Sequence, residues 1–140
     1  MKKLLLILFA GLLVMAGCKK KETEHPVDGD GYDRSYRQIS MEEAEDMMRR
    51  NDNHIIVDVR TVEEYEEGHI PGAICIPVDT IGKEKPEKLW DLDRIILIYC
   101  RSGNRSKQAA QKLLEIGYTN IYEFGGIIDW KGEIETGSEE

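Results

Sequence analysis

Cysteine is scarce in this sequence: only Cys18, Cys75 and Cys100 occur among 140 residues, and no two are spaced as Cys-X-X-Cys. That absence excludes a dithiol oxidoreductase built on the usual motif. Histidine is equally sparse. His25 lies in a polar stretch, His54 precedes an apolar run and His69 follows a helical segment, so none is clearly placed as the base of a cysteine hydrolase. Positive charge is in deficit, with 19 Lys and Arg against 27 Asp and Glu. Phosphate neutralisation by Lys and Arg supplies most nucleic-acid affinity, so no nucleic-acid partner is expected. Long apolar runs are missing too. Leu4–Ala16 has 13 residues, short of the roughly 20 that a membrane-spanning helix requires. No internal repeat or low-complexity segment interrupts the chain, and its length fits one ordinary domain with terminal extras.

What is present begins with a targeting pattern. Lys2 and Lys3 precede the apolar run, and Leu13-Val14-Met15-Ala16-Gly17-Cys18 resembles the lipobox of bacterial lipoprotein signal peptides. In that reading residues 1–17 are removed and Cys18 carries the lipid. The domain then sits in the bacterial cell envelope, anchored to the membrane and facing its extracytoplasmic side, with inner and outer membrane both open. Residues 18–35 are polar and carry Pro26, Gly29 and Gly31, the composition of a flexible tether. Residues 36–135 form the folded domain, and 136–140 read as an acidic tail.

Within the domain, strand and helix patterns alternate. Ser40 with Glu43 and Thr61 with Glu64 are capping boxes, opening one helix to about Arg50 and a shorter one ended by Gly68. Ile55–Val59, Ala73–Ile76, Ile95–Tyr99 and Asn120–Phe124 read as strands, the first and third as apolar runs covered on both faces. Pro86–Asp91 reads as one or two helical turns, with Trp90 as a helix-to-sheet contact. Ser106–Ile116 is amphipathic, with Ala109, Ala110, Leu113 and Leu114 inward and Gly117 closing it. Gly125-Gly126 leads into a short helix holding Trp130, read as core. The alternation implies an α/β fold: an open, mainly parallel central sheet with helices on both faces.

Ligands of open α/β sheets bind outside the carboxyl ends of the strands, and Cys100 follows the most apolar strand. The segment Arg101-Ser102-Gly103-Asn104-Arg105-Ser106 is too polar to pack as core. Its backbone N–H groups form a potential anion nest, backed by a helix N-terminus and two arginines. All of these favour a thiolate, so Cys100 is expected to titrate well below the free value of about 8.5. Cys75 alternates with apolar neighbours and reads as structural. Only four residues separate Cys100 from Arg105, one fewer than in the phosphate-holding loop of cysteine-dependent phosphatases, and the smaller nest suits a single terminal sulfur.

Asp58-Val59-Arg60, Glu64-Tyr65, Gly68-His69-Ile70-Pro71-Gly72-Ala73, Ile98–Ser106, and Gly125-Gly126 with Trp130 occur in this order. Together they resemble a single-domain rhodanese over residues 38–132. The resemblance implies a sulfurtransferase, the open rhodanese-like sheet, and a two-step reaction through a Cys100 persulfide. The donor would be a small sulfur anion such as thiosulfate; the acceptor would be cyanide, a thiol or a protein. A binding or sulfur-sensing lipoprotein without turnover is the alternative. No metal or organic cofactor is implied. Cys100 would be the nucleophile and Arg101, Ser102, Gly103, Asn104, Arg105 and Ser106 would bind the donor, the arginines orienting it unless they pair with Asp58 or a glutamate. Asp58, as an acceptor for loop donors, and Arg60, as a rim residue or ion-pair partner, would border the site. His69 reads as a hydrogen-bonded turn residue and Tyr65 as packing.

Overall fold

The computed structural model describes residues 35–50 and 52–139. The proposed signal peptide, Cys18, His25 and nearly all of the tether lie outside the described residues.

Five parallel strands form one sheet in the order β1 (Arg37–Gln38), β5 (Ile121–Gly126), β4 (Ile96–Cys100), β2 (Ile55–Asp58), β3 (Ala73–Cys75). β4 is central and every one of its residues is buried, as its unbroken apolar run requires. Side chains alternate across it. Ile96, Ile98 and Cys100 face helix α3 (Asn104–Ile116), packing with Ala109, Ala110, Leu113 and Leu114. Leu97 and Tyr99 face the other way, toward Ala44 of α1 (Met41–Arg49) and Tyr65 of α2 (Val62–Glu67). Helices therefore cover both faces, as the alternation implies.

Both capping boxes form. Ser40 Oγ accepts from Glu43 N–H while Glu43 accepts from Ser40 N–H, and Thr61 and Glu64 repeat the exchange. Three expectations need correction. Pro86–Asp91 is not helical: it holds one turn, closed by Leu89 N–H on the Pro86 carbonyl at 2.9 Å, and Leu89 is the buried residue. Trp90 is consequently 68% exposed rather than a sheet contact. Trp130 follows a short 3-10 turn, Ile127–Asp129, and is half-buried against Phe124 with its indole N–H on the Glu133 carbonyl. Residues 135–139 pack back against the domain: His69 and Glu135 form an antiparallel bridge outside the five-stranded sheet, and the Glu139 carboxylate accepts the Cys75 N–H of edge strand β3.

Candidate active site

Cys100 is the last residue of β4, and the chain turns from it into α3 within three residues. α3 begins at Asn104, two residues earlier than its pattern suggested, so Asn104 and Arg105 belong to its first turn. The turn is made possible by Gly103, whose φ of 100° lies in the left-handed region. It is supported from below by the end of β5. A Cβ on Gly126 would lie 2.1 Å from the Arg101 carbonyl oxygen, so glycine alone lets the loop seat there.

The result is a sulfur ringed by donors. Cys100 is 1% exposed. Its Sγ accepts the Gly103 N–H at 3.0 Å and lies 3.5 Å from Ser106 Oγ. Burial opposes the charged form. Hydrogen bonds from the Ser106 hydroxyl and from the backbone N–H groups of Ser106, Gly103 and Ser102 outweigh it, and the thiol titrates below free cysteine. Cys75 shows the reverse: burial, then Asp58, push it up to about 11.

The remaining residues singled out in the sequence separate into three groups. Arg101, Ser102 and Asn104 are exposed at the mouth of the loop, and among the described residues the Arg101 guanidinium has no carboxylate partner. Arg105 takes up the ion pair that stood as its alternative role: it donates to Glu64 through bonds of 2.6 and 2.9 Å. This hydrogen bond, chiefly, draws the Glu64 carboxyl down to about 2. Asp58 and Arg60 form the third group. Asp58 is fully buried and accepts Arg60 N–H, Nε and Nη2 rather than donors of the cysteine loop. Arg60 also reaches the Gly68 carbonyl at 2.6 Å, so it is an ion-pair partner and not a rim residue. Asp58 ends β2, Arg60 follows two residues later, and the two side chains satisfy each other. His69 is a turn residue, stacked on Tyr65 with its Nδ1 on the Tyr65 carbonyl. The Tyr65 hydroxyl donates to the Ala73 carbonyl.

One residue at the site escaped the sequence reading. Glu123 is 3% exposed on β5; its Oε1 lies 2.6 Å from Ser106 Oγ and 2.9 Å from the Gly125 nitrogen, whose N–H it accepts. The signal was available: Glu123 shares the face of Ile121, where the alternation calls for an apolar side chain.

Residues 40–133 match the rhodanese-like domain family. The chain belongs to that family. It is 36% identical over 102 residues to the thiosulfate sulfurtransferase GlpE of Coxiella burnetii, an alignment covering 72% of this chain and 92% of GlpE. The adenylyltransferase and sulfurtransferase UBA4 of Meyerozyma guilliermondii is 34% identical over 94 residues, 61% of this chain, but this chain spans only 22% of that protein's length. Among solved structures, a rhodanese-like domain protein from Staphylococcus aureus superposes with a TM-score of 0.62 at 33% identity, covering 73% of this chain and 99% of that one. The family match, residues 40–133, runs from the cap of α1 to beyond Trp130 and includes the segment Cys100–Ser106.

Proposed function

We propose that the protein is a sulfurtransferase that carries sulfane sulfur on Cys100. The observation that supports this reading best is the Gly103 N–H held 3.0 Å from a buried Cys100 Sγ, in a loop whose donors favour an anion on sulfur. In the first step the thiolate attacks the outer sulfur of thiosulfate. The S–S bond of the donor breaks, sulfite leaves with the electron pair, and a Cys100 persulfide remains. In the second step a thiol in its thiolate form, or cyanide, attacks the outer sulfur and Cys100 thiolate departs. The loop N–H groups stabilise the anion at both stages without reorganising. Exposed Arg101 is the cation positioned to draw in an anionic donor, and a protein bearing a thiol can serve as acceptor.

The site of action in this proposal is the cell envelope, with the domain tethered through lipid on Cys18. Its support is the sequence pattern around that cysteine. Metabolic labelling with a fatty-acid analogue, lost in Cys18→Ser, tests it.

For the chemistry, purified protein is incubated with thiosulfate and weighed intact. A gain of one sulfur atom on Cys100, removed by cyanide as thiocyanate, is the expected result. No gain, with Cys100 demonstrably reduced, sinks the proposal. Sulfur loading without release to cyanide or thiols would leave a carrier or sensor instead.

A further inference from the structure

Ser106 is fully buried between two groups that both ionise, and its hydroxyl has one proton to give. Its Oγ lies 2.6 Å from Glu123 Oε1 and 3.5 Å from Cys100 Sγ, with the uncharged carbonyls of Gly103 and Gly125 at 3.0 and 3.5 Å. If Glu123 is ionised, the short contact takes the hydroxyl proton and Ser106 turns only lone pairs toward Cys100. That arrangement suits a thiol and opposes a thiolate. If Glu123 is protonated, its own O–H donates to Ser106 Oγ, and the Ser106 proton is free to point at sulfur.

The surrounding charges decide between these states. On α3, Arg105 is engaged by Glu64 of α2; on β2, Asp58 is engaged by Arg60. On β5 itself, Tyr122 holds Arg37 of neighbouring β1. α1 meets this end of β5 through the apolar Met41, whose Cε lies 3.6 Å from where a Gly125 Cβ would be. Arg101 is exposed beyond the loop. Glu123 thus has no cationic partner among the described residues; its other donor is the uncharged Gly125 N–H at 2.9 Å, and a carboxylate beside a thiolate would be two like charges in one buried site.

We propose that Cys100 and Glu123 share a single proton through Ser106, so that the Cys100 thiolate coexists with a protonated Glu123. The transfer is balanced within the triad. The thiol S–H bond breaks and its proton passes to Ser106 Oγ, while the Ser106 O–H bond breaks and its proton passes to Glu123 Oε1. No electrons change hands. Glu123 never touches the reacting sulfur; it is a positioning residue that stores the thiol proton. This deepens the sulfurtransferase reading and rests on it for its purpose, but its test needs neither donor nor acceptor.

The test is infrared difference spectroscopy of the intact protein, before and after alkylation of Cys100 by iodoacetamide, at a pH where thiolate absorbance is present. Alkylation removes the sulfur anion, so Glu123 should ionise. A carboxylic-acid carbonyl band should be present before alkylation and lost after it, and absent throughout in Glu123→Gln. The pH midpoint of Cys100 alkylation in Glu123→Gln should stay within a few tenths of a unit of wild type, because a neutral amide replaces a neutral acid. Thiolate absorbance without the acid band would overturn the proposal. So would a Glu123→Gln midpoint a full unit or more lower, since that tenfold shift would reveal an ionised carboxylate in the wild type. Because the band is read in the wild type alone, a variant that fails to fold does not spoil the experiment. Failure of thiosulfate to load sulfur would leave these spectra unaffected and would count only against the sulfurtransferase reading.

Discussion

Arg105 on α3 is clamped by Glu64 on α2, 41 residues earlier in the chain, through two hydrogen bonds of 2.6 and 2.9 Å. The same Glu64 carboxylate accepts the Thr61 N–H that caps α2. One side chain therefore fixes both the start of a helix and the cation beside the cysteine loop. The folded carboxyl titrates near 2, below its ordinary 4.5. The pair's contribution to stability is complete above pH 4.5 and is lost as the pH falls toward 2. Both partners are about one-third exposed, so solvent screening holds that contribution to about 1 kcal/mol or less. Glu64→Gln should flatten this acid limb in denaturant titrations between pH 2 and 5, with little change at pH 7.

The lowered titration of Cys100 has a kinetic signature. Because the anion is favoured in the folded protein, iodoacetamide should modify Cys100 rapidly well below pH 8, with the rate falling only as the pH drops through the folded value. Cys75, raised to about 11, should react only in strong alkali or after unfolding. Peptide mapping after timed alkylation separates the two. In Arg105→Ala the Cys100 rate at pH 6 should fall roughly threefold, the effect of removing one screened neighbouring cation. An unchanged rate would confine Arg105 to holding α2.

Gly126→Ala should injure the site from behind. The added methyl would fall 2.1 Å from the Arg101 carbonyl oxygen and 2.5 Å from Ser102 Cα, both backbone atoms that cannot turn away. The cysteine loop must shift, destabilising the fold by roughly 1–3 kcal/mol as overpacking does. It should also raise the pH midpoint of Cys100 alkylation as the N–H donors lose their aim. Thermal melts and the alkylation profile check the two effects separately.

Arg60→Ala should be more damaging than any change at Arg101. It would strand Asp58, which is 0% exposed and accepts Arg60 through both oxygens. Removing one partner of a buried pair costs about 3–5 kcal/mol, so the variant should unfold at markedly lower denaturant. Arg101→Ala, altering an exposed side chain, should melt like wild type and, in the proposed reaction, raise the KM for thiosulfate instead.

The sequence made local features readable. Ser40 with Glu43 and Thr61 with Glu64 declared their helices because a capping box is complete within four residues. Cys100 to Ser106 declared an anion nest because a polar loop after a buried strand has few other uses. What could not be read depends on which strands become neighbours. Ser106 meets Glu123 only because β5 lies beside β4, and Arg105 meets Glu64 only because α2 and α3 converge over one sheet edge. Trp90 misled for a related reason. A helix over Pro86–Asp91 would turn its large aromatic toward the sheet, whereas the single turn that forms there buries Leu89 in that place.

The return of the C-terminal residues to β3 carries a further consequence. β3 is a sheet edge, and an edge presents unused backbone donors and acceptors to any passing strand. Here Glu139 occupies the Cys75 N–H while being held by Lys88 at 2.5 Å, and Glu135 bridges to His69. What reads in the sequence as an acidic tail thus occupies a backbone donor of the edge strand. A strand from any second chain would have to displace Glu139 before it could use that N–H.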